Sequence, residues 1–285
     1  MNSKVALITG ASRGLGKVLT ERFWNASYSL YLIARSHEEL QKVTSSLPSK
    51  PGQDCTIYSC DLSIPEAIEG LKLNLDTKLS RLDVLINNAA VHGPIGQVWM
   101  NNLTDWQKTI QVNLLAPVTL CQMAVPFMEK TAGGSIINLS GGGATGPRPN
   151  FSAYATAKAG LVRFSETLAE ETRGLGIRVN CIAPGAMETA LLGEILEKGA
   201  QLCGDREFNL ANQVFAEGGA SMDRVANLAL FLASENSKGI TGKLISAVWD
   251  RWEDWPLYLD ELNKTDAYTL RRIVGRDRGI NWGDK

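Results

Sequence analysis

Histidine is scarce in this chain of 285 residues, which contains only His37 and His92. Two histidines make a histidine-rich zinc site improbable and leave few candidates for a Ser-His-Asp catalytic triad. We predict no bound metal. The cysteines are odd in number and include no C-x-x-C pair, which fits reduced thiols in a cytoplasmic protein. They are Cys55, Cys60, Cys121, Cys181 and Cys203.

An excess of basic charge is also missing, since 29 Lys and Arg residues stand against 30 Asp and Glu residues. Nucleic acid is therefore not an expected partner. No apolar run reaches membrane-spanning length, and the amino terminus has no basic region followed by a hydrophobic one. We therefore expect no membrane partner and a cytoplasmic location. No internal repeat or low-complexity linker divides the chain, which favours a single domain.

The first sixteen residues contain a strand, a glycine turn and the start of a helix. Lys4–Thr9 is an apolar β-type run that leads into Gly10-Ala-Ser-Arg-Gly14-Leu-Gly16. Such a turn presents free backbone N–H groups at the positive end of a helix dipole, where a phosphate binds. Ordinary strand-helix turns also contain glycines, so this motif alone leaves that alternative open. A P-loop is excluded because Val18 stands where Ser or Thr is required.

Strand and helix patterns then alternate along the chain. Helical patterns occupy most of the segments between further apolar runs at 29–34, 55–60, 82–86, 135–139, 177–182 and 243–248. This alternation predicts a doubly wound α/β domain with a seven-stranded, mostly parallel sheet, whose ligands bind at the carboxyl ends of the strands. A long helix is predicted from Leu103 to about Thr131. Residues 186–220 are mixed in pattern and are expected to form a mobile cover over the substrate pocket.

Tyr154-Ala-Thr-Ala-Lys158 places a phenol and an ammonium one helical turn apart on the same face. An arbitrary pair at this spacing usually lies on a solvated helix surface. The alternative is a general acid, because a nearby positive charge that lowers a tyrosine pKa by about three units supplies about 4 kcal/mol of differential stabilisation. A phenol near pH 7 can give a proton to a carbonyl oxygen or take one from an alcohol.

Seven motifs in a fixed order resemble the short-chain dehydrogenase/reductase family over roughly residues 3 to 248. They are Thr9-Gly10-x-x-x-Gly14-x-Gly16, Asp61, Asn87-Asn88-Ala89, Asn113, Tyr154-x-x-x-Lys158, Asn180 and Pro184-Gly185-x-x-x-Thr189. The resemblance implies an NAD(P)-dependent oxidoreductase with one Rossmann domain over residues 1–248, acting on a small carbonyl or alcohol substrate. Homodimers or homotetramers are the family's habit.

The resemblance also implies roles for individual residues. Tyr154 would be the acid/base, Lys158 would lower its pKa and hold the nicotinamide ribose, and Asn113 would keep a proton-relay water in place. Asp61 would bind adenine, and Thr189 would meet the carboxamide. The full cofactor-binding set is Gly10, Ser12, Arg13, Gly14, Leu15, Gly16, Arg35, Asp61, Leu62, Asn88, Ala89, Tyr154, Lys158, Pro184, Gly185 and Thr189.

Charge at the end of the second strand favours NADP(H) over NAD(H). NAD-dependent members of the family place a carboxylate there for the ribose hydroxyls, whereas this chain has Ala34 followed by Arg35. Arg13 in the glycine turn supplies a second guanidinium, and two such groups suit a 2′-phosphate. Glu38 and Glu39 keep the NAD(H) alternative open.

Two positions depart from the family pattern. Counting thirteen residues back from Tyr154 reaches Gly141, where the family carries a catalytic Ser, and Ser140 is one residue early. Ser140 is the predicted catalytic serine, with Thr145, Ser152 or a backbone N–H as alternatives. If the site is impaired, the chain would instead be a dinucleotide sensor or scaffold. A sugar-nucleotide epimerase or dehydratase is disfavoured, because the substrate region between the sixth and seventh strands is short. Ala90 replaces a common Gly.

Residues 249–285 form a C-terminal extension that contains four of the seven Trp residues. One alternative is that these aromatics attach the extension to its own domain. The other is that they reach the mouth of the active site or a neighbouring subunit. They are Trp249, Trp252, Trp255 and Trp282.

Overall fold

A seven-stranded sheet, parallel at every pairing, forms the centre of the computed structural model, which describes residues 3–280 and 282. The strands are β1 (Val5–Thr9), β2 (Ser29–Ala34), β3 (Cys55–Ser59), β4 (Val84–Asn87), β5 (Gly134–Leu139), β6 (Ile177–Ala183) and β7 (Leu244–Ser246). Their spatial order is β3-β2-β1-β4-β5-β6-β7. The predicted doubly wound α/β fold is confirmed. Strands are added outward from β1 on one side and from β4 on the other, and such sheets bind ligands at this switch in strand order.

The central strands are buried on both faces, so their side chains alternate between two cores. Along β1, Ala6 and Ile8 enter one core while Leu7 enters the other. Along β2, Leu30 and Leu32 likewise face the first core. A strand of a doubly covered parallel sheet therefore reads as a continuous apolar run, which is why these runs were visible in the sequence.

Helices cover both faces of the sheet and the carboxyl ends of its strands. They are α1 (Gly14–Asn25), α2 (His37–Ser45), α3 (Pro65–Lys78), α4 (Leu103–Ile110), α5 (Ala116–Lys130), α6 (Ser152–Glu171), α7 (Ala190–Lys198), α8 (Ala200–Cys203), α9 (Asp205–Glu217), α10 (Met222–Ala233) and α11 (Leu259–Lys264). Side chains of α1 and α10 fill the first core, and those of α3 and α5 fill the second. The mixed segment 186–220, hereafter the cover, contains α7, α8 and α9.

The predicted long helix exists but is not uniform. Gln111–Leu115 is a π-helical turn that joins α4 to α5, and it contains Asn113. π-helical turns occur frequently at functional sites. Among the described residues, Leu103–Lys130 is the one helix long and apolar enough to cross a membrane. It packs against α3, α6 and the strands β4 and β5, as a core helix of the fold does.

The C-terminal extension packs on its own domain. Trp252 and Trp255 are buried in the first core, and the Trp252 ring lies 5.2 Å from that of Phe231 on α10. The backbone N–H of Leu244 in β7 donates to the carbonyl of Tyr268, 2.8 Å away. Trp282, by contrast, is 79% exposed.

Removal of the Trp252 side chain tests this attachment. We expect Trp252→Ala to lower the free energy of unfolding by about 3–5 kcal/mol, because a large buried aromatic leaves a cavity. Trp282→Ala in the same extension should stay within about 0.5 kcal/mol of the native chain. Denaturant unfolding followed by fluorescence measures both, and equal effects would contradict the attachment.

Candidate active site

A cavity of about 1680 Å³ opens at the carboxyl ends of the strands. Its wall takes residues from the ends of β1, β2, β4, β5 and β6 and from the cover. The structure brings together all sixteen residues predicted for cofactor binding, and Ser140 with them, in this wall. Asn113 lies behind it.

The glycine turn forms one end of the cavity. Helix α1 begins at Gly14 without a side-chain cap and has no acidic residue in its first turn, so its N–H groups are available to an anion. A Cβ on Gly16 would overlap the carbonyl of Gly10. Glycine is therefore required where the helix crosses the end of β1.

Polar bonds hold this turn against the end of β4. Thr9 Oγ1 accepts hydrogen bonds from the N–H groups of Asn88 (3.0 Å) and Ala89 (3.1 Å). The Asn88 side chain donates in return to the carbonyls of Thr9 (3.0 Å) and Gly10 (3.2 Å). The Asn-Asn-Ala motif thus fixes the phosphate-binding turn.

The part of the cavity around the glycine turn carries both charge signs. Arg13 and Arg35 are exposed in its wall, as is Glu39, which accepts a 3.0 Å hydrogen bond from Ser12 Oγ. Burial raises the pKa of Asp61, but hydrogen bonds from Ser63 and the charges of Arg35 and Lys108 outweigh burial and hold that pKa below its usual value. Asp61 is therefore a carboxylate at neutral pH.

Tyr154 and Lys158 lie in the first two turns of α6 and are both buried. The Lys158 Nζ lies 5.7 Å from the Tyr154 ring centroid and donates a 2.6 Å hydrogen bond to the carbonyl of Leu139 at the end of β5. Tyr154 Oη makes no hydrogen bond to any residue in 3–280 or to residue 282. The phenol thus faces the cavity with its hydroxyl available to a ligand.

The electrostatics of the pair differ from the expectation that Lys158 lowers the tyrosine pKa. Burial raises the pKa of Tyr154, and the charge that opposes this effect is Arg148. Burial also lowers the pKa of Lys158 to about 8, because a cation loses its hydration inside the protein.

Gly141 lies directly against the phenol of Tyr154. A Cβ at this position would overlap Tyr154 Oη and lie 3.0 Å from Cζ. Ser140 Oγ is buried and has no hydrogen-bond partner among the described residues, although it lines the cavity. The Ser152 hydroxyl accepts from Trp106 Nε1 at 3.2 Å. No serine hydroxyl in the described ranges therefore bonds to Tyr154.

Asn113 and Thr189 act on neighbouring backbone. The Asn113 side chain accepts from the N–H of Val91 (3.0 Å) and donates to its carbonyl (2.7 Å), and it is fully buried. The Thr189 hydroxyl caps α7 by accepting from the N–H of Leu192 at 3.3 Å. Asn113 therefore fixes the loop after β4, and Thr189 fixes the start of the cover.

Sequence reasoning missed three residues beside Tyr154. His92 is 4% exposed, and its ring lies 5.2 Å from that of Tyr154. Burial lowers the pKa of His92, although Glu194 lies 3.3 Å from Nδ1 and opposes this. Arg148 and Glu207 form an ion pair at 2.7 Å in the same wall.

The residues present fit a dinucleotide. The uncapped start of α1 suits a pyrophosphate, and the buried Ser140 hydroxyl requires a partner that the described protein does not supply. Among the described residues, no group of three or more His, Cys, Asp or Glu side chains could hold a metal. Fold and site together define a dinucleotide-binding enzyme of the doubly wound α/β class.

Comparison with known proteins gives the family. A model of the short chain dehydrogenases matches residues 4–200. The 3-oxoacyl-[acyl-carrier-protein] reductase FabG of Thermotoga maritima is 34% identical over 245 residues, which cover 86% of this chain and 96% of the relative. Human dehydrogenase/reductase SDR family member 4 is 28% identical over 244 residues, 85% of each chain. This chain belongs to the short-chain dehydrogenase/reductase family and is an NAD(P)-dependent oxidoreductase.

Solved structures agree with this assignment. The NADPH dependent reductase YwfH, involved in bacilysin biosynthesis, is 27% identical with a TM-score of 0.76, covering 86% of this chain and 96% of that one. A short chain dehydrogenase from Shigella flexneri complexed with NADP is 26% identical with a TM-score of 0.73, covering 87% and 98%.

The contact of Gly141 with Tyr154 can be tested by adding one methyl group. We expect Gly141→Ala to displace the phenol and lower turnover by about 10²-fold, because small misplacements of a reacting group are costly. Gly142→Ala is the matched control, since its Cβ would meet Arg148 at an ordinary 3.7 Å. Cofactor affinity should be unchanged in both variants. Normal turnover in Gly141→Ala would show that the phenol does not need this approach.

Proposed function

We propose that this enzyme is an NADP(H)-dependent carbonyl reductase or alcohol dehydrogenase with Tyr154 as general acid/base. The observation that carries the proposal is the buried Tyr154 side chain, which lines the cavity and whose hydroxyl bonds to none of the described residues. A hydroxyl held at the cavity without a protein partner is available to a substrate oxygen.

The chain's own residues then have distinct tasks. Tyr154 donates its proton to a carbonyl oxygen during reduction and accepts a proton from an alcohol during oxidation. Lys158, held by Leu139, places a positive charge near the phenol and would hold the nicotinamide ribose. A bound nicotinamide supplies or accepts the hydride. Asn113 holds the loop after β4 and, in this proposal, keeps a proton-relay water in place.

The preference for NADP(H) rests on Arg13 and Arg35. Both guanidiniums are exposed in the cavity wall, where a 2′-phosphate would lie, and no carboxylate ends β2. The relatives described as NADPH dependent or bound to NADP support this preference. Glu39 also lines this region, so NAD(H) stays the alternative cofactor.

The proposal is tested by nicotinamide absorbance with NADPH and a panel of ketones, aldehydes and 3-oxoacyl thioesters. The 3-oxoacyl compounds enter the panel because a relative is named for them. We expect Tyr154→Phe to lower turnover by at least about 10²-fold with NADPH affinity nearly unchanged, because it removes only the proton donor. Retained turnover in Tyr154→Phe would contradict the assignment of Tyr154 as general acid/base. Tight NADPH binding without turnover of any compound by the native enzyme would favour a dinucleotide sensor.

Cofactor choice has its own test. We expect Arg35→Ala to weaken NADPH binding about 10- to 100-fold and NADH binding far less, because only NADPH offers a phosphate to the guanidinium. Glu39→Gln is the matched variant and should leave NADH binding unchanged. Equal weakening of both cofactors by Arg35→Ala would contradict the 2′-phosphate assignment, and loss of NADH binding in Glu39→Gln would favour NAD(H). Fluorescence titration measures all four affinities.

The substrate class, the oligomeric state and the cellular location of the enzyme are also predictions. The relatives fit a small-molecule substrate for this enzyme. A homodimer or homotetramer is inferred from family habit, and sedimentation analysis would test it. The cytoplasmic location is inferred from composition and is open to cell fractionation.

A further inference from the structure

Gly143, two residues after the position of the family's serine, leaves room for an arginine. A Cβ on Gly142 would lie 3.7 Å from Cδ and Nε of Arg148, and a Cβ on Gly143 would lie 3.1 Å from its Cβ. Arg148 therefore folds back over these two glycines, and its Cζ lies 3.9 Å from the ring centroid of Phe151. The phenol itself occupies the position that a side chain on Gly141 would take, and the arginine lies beside the next two glycines.

Arg148 faces Tyr154 across the cavity wall. Its Cζ lies 5.4 Å from the Tyr154 ring centroid, and its side chain is only 12% exposed. Nε and Nη2 both donate to Glu207 Oε2, at 3.0 and 2.7 Å. Its Nη1 makes no hydrogen bond within residues 3–280 or with residue 282. The guanidinium is thus fixed on one edge and has donors free on the other.

We propose that Arg148 is a catalytic residue that donates a hydrogen bond to the reacting oxygen of the substrate, in place of the missing serine hydroxyl. The proposal rests on the carbonyl reductase function proposed above. A carbonyl oxygen gains negative charge as its carbon is reduced, before the proton from Tyr154 reaches it. A fixed donor in a desolvated site stabilises that charge strongly, and a guanidinium stays charged at any working pH.

The charge of Arg148 agrees with this position. It lowers the pKa of Tyr154 while burial raises it, so the guanidinium acts on the phenol through space. The other titratable groups around the phenol are His92 and Lys158, and burial lowers the pKa of both. Arg148 is therefore the group here that stays a full cation at neutral and alkaline pH.

Glu207 is a positioning residue in this arrangement. It lies on α9 in the cover and contacts the guanidinium on the edge away from the free Nη1. Because the carboxylate binds two of the three guanidinium nitrogens, it fixes the plane of the guanidinium and thus the direction of the third nitrogen. The cover thus orients a catalytic group as well as enclosing the substrate.

The first experiment compares arginine variants. We expect Arg148→Met to lower kcat by about 10²–10³-fold, the usual loss for one oxyanion donor, with NADPH affinity unchanged. Arg148→Lys should retain part of the rate because it keeps a charged donor. Arg173→Met is the control, since Arg173 makes a similar two-nitrogen contact with Glu170 on the surface. It should leave kcat unchanged.

Two further measurements separate catalysis from attachment of the cover. The exchanged pair Arg148→Glu with Glu207→Arg restores an ion pair between loop and cover, so we expect normal thermal stability but no recovery of kcat. In Arg148→Ala, added guanidinium chloride at millimolar concentration should restore part of kcat, with ethylammonium chloride as the control. If Arg148 only attached the cover, the exchanged pair would recover kcat, and added guanidinium would not restore kcat in Arg148→Ala.

The outcomes are distinct. Recovery of kcat in the exchanged pair, or normal kcat in Arg148→Met, would overturn the role of Arg148. So would a large loss in Ser140→Ala together with a small one in Arg148→Met, which would assign the role to Ser140. If Arg148→Met does not fold, the exchanged pair decides. Failure of the reductase function itself is recognised separately, because the native enzyme would then show no turnover, and the role of Arg148 would fall with it.

Discussion

The active site depends on one buried positive charge. Lys158 is 1% exposed, and its ammonium donates to the carbonyl of Leu139 at the end of β5. An unpaired ion inside a protein costs several kcal/mol, so its position is dictated by that partner. This bond ties α6 to the end of β5 and places Tyr154, one turn earlier on the helix, over the same strand end.

The parallel sheet brings the other residues of the site together. Because every strand runs in the same direction, the segments after β1, β4, β5 and β6 meet at one edge. Thr9 and Asn88, far apart in sequence, bond there and hold the glycine turn. The common strand direction therefore brings together both the bonds that hold the glycine turn and the carbonyl that binds Lys158.

Regular, doubly buried elements could be predicted from sequence with small errors. Strand β2 has the predicted bounds of 29–34, because an apolar run between turns is a local signal. The spacing of Tyr154 and Lys158 likewise follows from helix geometry alone. Family motifs led to the cavity wall because their residues follow strand ends.

The substrate side could not be predicted in this way. The pair of Arg148 and Glu207 joins residues 59 positions apart, and no periodicity relates a loop to a helix of the cover. The burial of His92 depends on rings that only the folded chain brings together. One local signal was available: Pro147 and Pro149 flank Arg148 and restrict its backbone, as expected where a loop side chain has a fixed task.

The contact between Leu244 and Tyr268 has a consequence for how the protein behaves in a crowded solution. Strand β7 is the last in the sheet, and an unpaired outer strand is a template onto which strands of other molecules add. The C-terminal extension occupies the Leu244 N–H and surrounds the Lys243 ammonium with the carbonyls of Leu262 and Ala267. It thus protects the sheet against edge-to-edge aggregation, a task independent of catalysis.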